Sequence, residues 1–210
     1  MFEKILSGEA IEVVESLSPH VESFYLAGRT GLGLQLGHRR SDDLDFFSDE
    51  LFNTDAILST ISTDKIFFTA AGTVHCEIQG IRVSFLYYAV PLIHPTLSWH
   101  GIRVAHCKDI VSDKIKTISQ RGSKKDFIDL YAVLKMRYSV QEVCDLFKKR
   151  FKRSDINFYH VLKSLTFFED AEQEPPPLIL SHGEDWKWVN IKVFFIDNIS
   201  LFEHELGMYL

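Results

Sequence analysis

Three acidic side chains lie close together in the segment RRSDDLDFFS, residues 39–48. In an extended chain, side chains two positions apart point to the same side, which places Asp43 beside Asp45. Two neighbouring carboxylates repel each other unless a cation lies between them, and Mg²⁺ prefers carboxylate and phosphate oxygens. The pair is therefore a candidate metal clamp for phosphoryl chemistry, although taken alone it is also typical of surface acids ahead of a strand. Asp42 points the opposite way and is interpreted as a loop acid or a partner of a neighbouring arginine.

A glycine-containing turn precedes this acid pair in the chain. The run FYLAG (24–28) is typical of a strand that ends in glycine, and residues 29–39 are predicted to form a helix after it. A turn of this kind offers backbone N–H groups to phosphate oxygens. Gly28 and the hydroxyl of Thr30 are therefore candidate phosphate ligands.

A second group of charged residues lies in DIVSDKIKTISQRGSKKDFIDLY. Lys114 and Arg121 are seven positions apart, and Asp126 and Asp129 are three apart, so each pair shares one face of a predicted helix. These side chains could converge on a triphosphate and its metal ion. The alternative is a helical hairpin whose acids and bases pair with each other.

The elements that must position these residues come in the order strands first, helices later. Strands are predicted at 24–28, 44–48, 65–71, 74–79, 81–88 and 102–106, with a hairpin turn at Gln79–Gly80. Helices are predicted at 3–17 with a candidate break at Gly8, and at 29–39, 49–61, 109–120, 125–137, 140–151, 155–168 and 184–203. The pattern indicates an α/β (α+β) fold with a small mixed sheet flanked by helices and a C-terminal helical bundle. We expect a core domain at 1–107 and a helical region at 108–210 that packs on it and completes the site.

Composition narrows the class of protein and its compartment. The net charge is −6, yet residues 108–153 hold 13 Lys and Arg against 6 Asp and Glu, which indicates either a surface for RNA or nucleotide or a solvated helical face. No apolar run reaches the roughly 18 residues of a membrane span, and the N-terminal pattern carries acids, unlike a secretory signal. The three cysteines form no CxxC pair and are expected to be reduced thiols. We expect a cytoplasmic protein without a membrane partner.

Two segments together carry a resemblance to a known family. FYLAGRTGLGLQLGHRRSDDLDFFS, followed by DKIKTISQRGSKKDFIDLYAVL, resembles the AbiEii/AbiGii-type nucleotidyltransferases, bacterial proteins of the DNA polymerase β-like nucleotidyltransferase superfamily. The resemblance covers about residues 20–137. It implies a nucleotidyltransferase that uses Mg²⁺ or Mn²⁺ to move a nucleoside monophosphate from an NTP such as ATP to an RNA (tRNA) or protein acceptor. It also implies a toxin with a separate antitoxin protein.

The resemblance also implies roles for individual residues. It places the nucleotide at Gly28, Arg29, Thr30, Lys114 and Asp129, the metal at Asp43 and Asp45, and catalysis at Asp43, Asp45, Lys114 and Asp126. Asp126 and Asp129 belong to a K-D-x-x-D segment that begins at Lys125.

Two positions depart from the family pattern. Position 29 is arginine where the family turn has a second glycine, and Arg29 could either bind phosphate through its guanidinium or block a close backbone approach. Ser84 occupies a strand position where the superfamily often has a third carboxylate. A tight hairpin pairs Ser84 with His75, and Glu77, two positions further on, is interpreted as a cross-strand partner of Arg82. An alternative function is thus a catalytically degenerate module that binds nucleotide or a partner protein without turnover.

Other residues are interpreted as structural. None of the nine histidines lies in an HExxH or HxH pattern, and His38 is interpreted as a surface loop residue. The strand aromatics are expected to fill the core: Phe46, Phe47, Phe85, Tyr87 and Tyr88.

Overall fold

The chain folds into two compact units. A computed structural model describes residues 1–207, so residues 208–210, which the predicted helical region includes, lie outside the described residues. One unit spans Met1–His106 and the other begins at Cys107. The first combines a sheet with helices, and the second is helical.

Seven strands form one mixed sheet within the first unit. They are β1 (Tyr25–Leu26), β2 (Leu44–Ser48), β3 (Lys65–Ala70), β4 (Thr73–Ile78), β5 (Ile81–Tyr87), β6 (Leu97–Trp99) and β7 (Ile102–Val104). Their order across the sheet is β3-β4-β5-β2-β1-β7-β6. The pairs β2–β5 and β1–β7 are parallel and the other neighbours are antiparallel, which confirms the predicted mixed sheet. The hairpin at Gln79–Gly80 is also confirmed, and both turn residues have positive φ.

The core of this sheet follows the alternation of the strands. Phe46 and Phe85 point to the same face, are fully buried, and stack with ring centroids 5.6 Å apart. Tyr87 points to that face as well but lies at the end of β5 and is 43% exposed. Its prediction as a core residue is therefore wrong.

Three α-helices lie in the first unit, and polar side chains cap the first and the third. They are α1 (Gly8–Leu17), α2 (Gly28–Leu36) and α3 (Thr54–Thr60). The predicted break near Gly8 is confirmed, because a 3₁₀ turn at Glu3–Ile5 precedes α1 and Ser7 caps it by accepting from Ala10 N. The α3 helix begins five residues later than predicted, since Asn53 caps its first turn.

The second unit is a helical bundle, as predicted. Its helices are α4 (Cys107–Arg121), α5 (Lys124–Met136), α6 (Val140–Arg150), α7 (Phe158–Ser164), α8 (Glu169–Glu172), α9 (Trp188–Asp197) and α10 (Ile199–Glu205). Its core is aromatic, and the fully buried rings belong to Phe127, Phe147, Phe195 and Phe202. The three cysteines of the chain are buried and free, and burial raises the pKa of the Cys144 thiol to about 12. Within residues 1–207, helices fall short of the length and apolar character that a membrane crossing needs.

The prediction of one continuous helix over 184–203 is wrong. The segment is divided at Asn198, which ends α9 and precedes α10. The Asn198 side chain donates to the carbonyl of Phe194 over 2.8 Å, and local bonding of this kind competes with a continuing helix. Hydrophobic spacing continues across the break, so periodicity alone did not reveal it.

Candidate active site

The turn between β1 and α2 lies against Asp45. Gly28 has φ +60°, a conformation that glycine adopts without strain. A Cβ atom at this position would lie 3.2 Å from the Asp45 Oδ2 atom. Only glycine therefore lets the backbone approach the carboxylate this closely. The first hydrogen bond of α2 runs from Gly31 N to Ala27 O, and the N–H groups ahead of it belong to the open helix end.

Both aspartates of the acid pair, Asp43 and Asp45, are held by this turn. Ala27 N donates to the Asp45 carbonyl over 3.0 Å, and the Thr30 hydroxyl donates to the Asp43 carbonyl. Asp45 lies within β2 and Asp43 lies one residue before it. The predicted neighbourhood of Gly28, Thr30 and the two acids is thus present in the structure.

The structure assigns Thr30 a contact that the sequence did not reveal. Its side chain is buried, and its hydroxyl lies 2.9 Å from the Ser41 Oγ atom as well as bonding Asp43. The hydroxyl therefore fixes the loop that carries the acid pair. Ser41 itself was not singled out from sequence, because a serine in a loop carries no pattern that distinguishes it.

The flanking charges of the acid pair differ in function. The Arg29 guanidinium lies 3.6 Å from an oxygen of Asp43, whose side chain is 40% exposed. Asp42 accepts a hydrogen bond from Ser7 N over 2.7 Å, and so fixes the start of α1. Of the two interpretations of Asp42, the structure fits the loop acid, and the hydrogen-bond donor to its side chain is a backbone N–H. His38 is fully buried, so its interpretation as a surface residue is wrong.

The position of the missing third carboxylate lies next to Asp45. Ser84 pairs with Asp45 across the parallel strands β2 and β5, and with His75 across β4 and β5. The expected pairing of Glu77 with Arg82 is also confirmed in the ladder. Among residues 1–207, groups of three His, Cys, Asp or Glu side chains placed to hold a metal are absent. Any metal at the acid pair would therefore need oxygens from substrate or water.

Four predicted residues of the second unit form a second cluster, the buried ion cluster, in which Lys114, Asp126 and Asp129 are buried and Arg121 is exposed. The Lys114 ammonium lies 2.7 Å from Asp126 and 2.6 Å from Asp129, and its side chain is 4% exposed. Arg121 Nε donates to Asp126 over 2.9 Å, and the Ser123 hydroxyl donates to the same oxygen. Acids and bases converge as expected, and within this unit they contact each other.

The charge state of Asp126 follows from these contacts. Burial by itself would raise the pKa of Asp126, but the Lys114 ammonium and the Arg121 guanidinium outweigh burial and lower the pKa well below its usual range. Asp126 therefore remains a carboxylate and holds the lysine in place. Lys125, the first residue of the K-D-x-x-D segment, is half-buried.

The basic stretch at 148–153 is divided between internal and exposed residues. Arg150 is buried and donates to Asp109 and Asp113 over 2.9 Å each. Lys148 pairs with Asp145. Lys149, Lys152 and Arg153 are exposed. The exposed residues fit the interpretation as a solvated face, the buried Arg150 fits neither interpretation, and the surface for RNA or nucleotide stays a prediction.

A cavity of about 230 Å³ lies in the second unit and was not predicted. It is lined by Lys108, Tyr138, Glu142, Asp145, Leu146 and Lys149. Four of its residues lie on one face of α6, while Lys108 and Tyr138 come from separate segments that helical spacing does not connect to it.

Comparisons with known proteins identify the family of the chain. A model of the family described as "Nucleotidyl transferase AbiEii toxin, Type IV TA system" matches residues 64–188. An uncharacterized protein of Aquifex aeolicus (strain VF5) is 37% identical over 174 residues, which cover 79% of this chain and 83% of that protein.

Two crystal structures share the fold. JHP933 from Helicobacter pylori has a TM-score of 0.50 and 17% identity, covering 95% of this chain and 96% of its own. A second H. pylori structure, assigned provisionally as a nucleotidyltransferase, has a TM-score of 0.50 and 18% identity, covering 97% of this chain and 95% of its own. The family-model match over more than half of the sequence shows that the chain belongs to the AbiEii nucleotidyltransferase toxin family of type IV toxin–antitoxin systems.

Proposed function

We propose that the protein is a metal-dependent nucleotidyltransferase that moves a nucleoside monophosphate from an NTP to an RNA (tRNA) or protein acceptor. The observation that supports this most directly is the position of the acid pair, which the turn before α2 holds at the start of β2. Asp43 and Asp45 are both half-buried, so their oxygens can reach a ligand. Membership of the family supports the reaction class. Since the reaction consumes NTPs, we place it in the cytoplasm.

The acid pair has the donor set that Mg²⁺ or Mn²⁺ uses. Mg²⁺ is usually held by one or two carboxylates, and water and substrate phosphates complete its shell. Asp43 and Asp45 would hold the ion. When bound, it would neutralise charge on the phosphate oxygens during transfer.

The protein's own groups bind and orient the nucleotide. The open N–H groups at the start of α2, beside Gly28, donate hydrogen bonds to phosphate oxygens. The Arg29 guanidinium lies 3.6 Å from an oxygen of Asp43, and it can bind a phosphate oxygen in place of this carboxylate. Thr30 acts by fixing the loop that carries the acids. Lys114 is 4% exposed and its ammonium is held by Asp126 and Asp129, so we assign these three residues to the stability of the second unit rather than to phosphate binding.

Replacing both acids tests the proposal. The double variant D43N/D45N should lose at least about 100-fold of the transfer of label from α-³²P-NTPs to total RNA or protein, equivalent to about 2.7 kcal/mol of transition-state stabilisation. Asp49→Asn is the matched control, because Asp49 is an exposed acid just beyond β2. Undiminished transfer by the double variant contradicts the proposed role of the pair.

A module that binds nucleotide or a partner protein without turnover is the second candidate. Two observations favour it, namely the Arg29 side chain beside Asp43 and the serine at position 84 beside Asp45. Calorimetry with NTP and Mg²⁺, followed by an assay for released pyrophosphate, separates the two functions. Binding without pyrophosphate in any acceptor pool would favour the module.

A toxin with its own antitoxin is the role that the family supports in the cell. Induced expression of the wild-type chain should then arrest growth, and D43N/D45N should not. Harmless expression of the wild type would count against the toxin role and would leave the transfer assay to decide the reaction.

A further inference from the structure

A row of four side chains crosses the sheet and ends at the acid pair. Phe68 on β3 pairs with His75 on β4, His75 pairs with Ser84 on β5, and Ser84 pairs with Asp45 on β2. Paired residues in neighbouring strands point to the same face. His75 and Asp45 therefore share one face, with their Cα atoms about 10 Å apart, or two strand spacings.

The imidazole of His75 is held in place yet remains accessible. Its Nδ1 atom lies 3.0 Å from the Ser84 hydroxyl, and its ring lies 6.1 Å from the ring of Phe68. His75 and Ser84 are half-buried, while Phe68 is 54% exposed on the edge strand. The tautomer in which Nδ1 donates to Ser84 leaves a lone pair on Nε2.

The proposed reaction needs a proton acceptor that the acid pair does not supply. The hydroxyl of the acceptor substrate must lose its proton as it attacks phosphorus, and carboxylates that hold a metal ion are poor bases. Ser84 occupies the neighbouring position, and a serine hydroxyl does not take up a proton near neutral pH. Imidazole does, which makes it the commonest general base in proteins.

We propose that His75 is the general base that activates the acceptor hydroxyl, in place of a carboxylate at position 84. This inference rests on the proposed transferase function. Nε2 takes the hydroxyl proton while the acceptor oxygen bonds to the α-phosphorus. The bond from that phosphorus to the bridging oxygen of the β-phosphate breaks, and pyrophosphate leaves with the electron pair. The imidazolium then releases its proton to water.

Charged groups on the same face set the field around His75. They are Glu77 on β4, Lys65 on β3, Arg82 on β5 and Asp45 on β2. Glu77 lies between Lys65 and Arg82 in the ladder, so its negative charge has a positively charged neighbour on each side. The acid pair would be neutralised by a bound metal ion.

Turnover and nucleotide binding must be measured separately to test this role. His75→Gln should lower kcat at least about 100-fold, the lower range for a lost general base, and should change the Kd for NTP by less than about twofold. The exposed His20 provides the control, since His20→Gln should match the wild type.

Restoring a carboxylate provides a second, independent test. Ser84→Asp in the His75→Gln background should recover at least about tenfold in kcat, because it places a base beside Asp45. Ser84→Ala alone should lower kcat less than His75→Gln, since it removes only the hydrogen bond that orients the ring.

The outcomes distinguish this inference from the proposed function. Transfer that D43N/D45N abolishes but His75→Gln leaves unchanged would overturn the role of His75 alone. Failure of Ser84→Asp to restore kcat in the His75→Gln background would overturn it as well. Absence of transfer by the wild type would overturn the proposed function, and this inference with it.

Discussion

The acid pair of the first unit and the buried ion cluster of the second both combine carboxylates with cations, but they differ in burial. Asp43 is 40% exposed and has one ion-pair contact, at 3.6 Å. Asp126 is fully buried and accepts from two cations and a hydroxyl. A carboxylate with unused lone pairs can bind a ligand, whereas a buried one with several donors stabilises the fold. Substitutions in the first region should therefore mainly lower activity, and substitutions in the second should mainly lower stability.

Breaking the ion cluster should have the largest effect on stability. Lys114→Met leaves Asp126 and Asp129 buried with Arg121 as their remaining partner from the cluster, and we expect a loss of about 3–5 kcal/mol in the free energy of unfolding. Urea denaturation measures it, with the exposed Lys152→Met as control. A loss below about 1 kcal/mol would show that the cluster is not the stabilising element that its burial indicates.

Filling the turn at the acid pair should have an intermediate effect on stability and a larger one on activity. Gly28→Ala forces an alanine into φ +60° and brings its Cβ against Asp45, at a cost of about 1–2 kcal/mol. Displacement of Asp45 should also reduce label transfer. Gly8→Ala is a matched control, because nothing lies within 4 Å of its Cβ position. Equal behaviour of the two variants would contradict the close approach at Gly28.

A pH-dependent contact outside both regions should have the smallest effect. His100 contacts Glu3 at 2.9 Å and Glu15 at 2.8 Å, and the bond to Glu3 is the main cause that raises the pKa of His100 above 6.5. Its contribution is thus fully present below pH 6.5 and is lost as pH rises through the higher folded-state pKa. His100→Gln should flatten the pH dependence of the midpoint of thermal unfolding above pH 6.5. An unchanged slope would show that this contact adds no stability.

Much of the fold could be predicted, because local signals were strong. Strand-like runs of apolar residues predicted β2, β4 and β5, and Gln79–Gly80 predicted the hairpin that joins β4 and β5. The short strand β6 was missed, since three residues after a proline carry too little pattern. The break at Asn198 was missed for the opposite reason, because the apolar period runs through it.

The candidate site was predictable in its residues and less so in their contacts. Residue type and spacing correctly predicted that Gly28, Asp43 and Asp45 lie close together. They did not show that Thr30 is buried or that His38 lies in the core. Those facts depend on which side chains the rest of the unit covers, and a local window of sequence does not contain them.

The sequence by itself determined the order of elements, the family and the identity of the acids, because each depends on residues near one another in the chain. Tertiary structure decided which charged side chains pair with other groups inside the protein and which remain accessible to a ligand. Lys114 and Arg29 look alike as cations in the sequence. One is buried between two carboxylates and the other is 22% exposed beside one, since burial is set by residues far away in the chain.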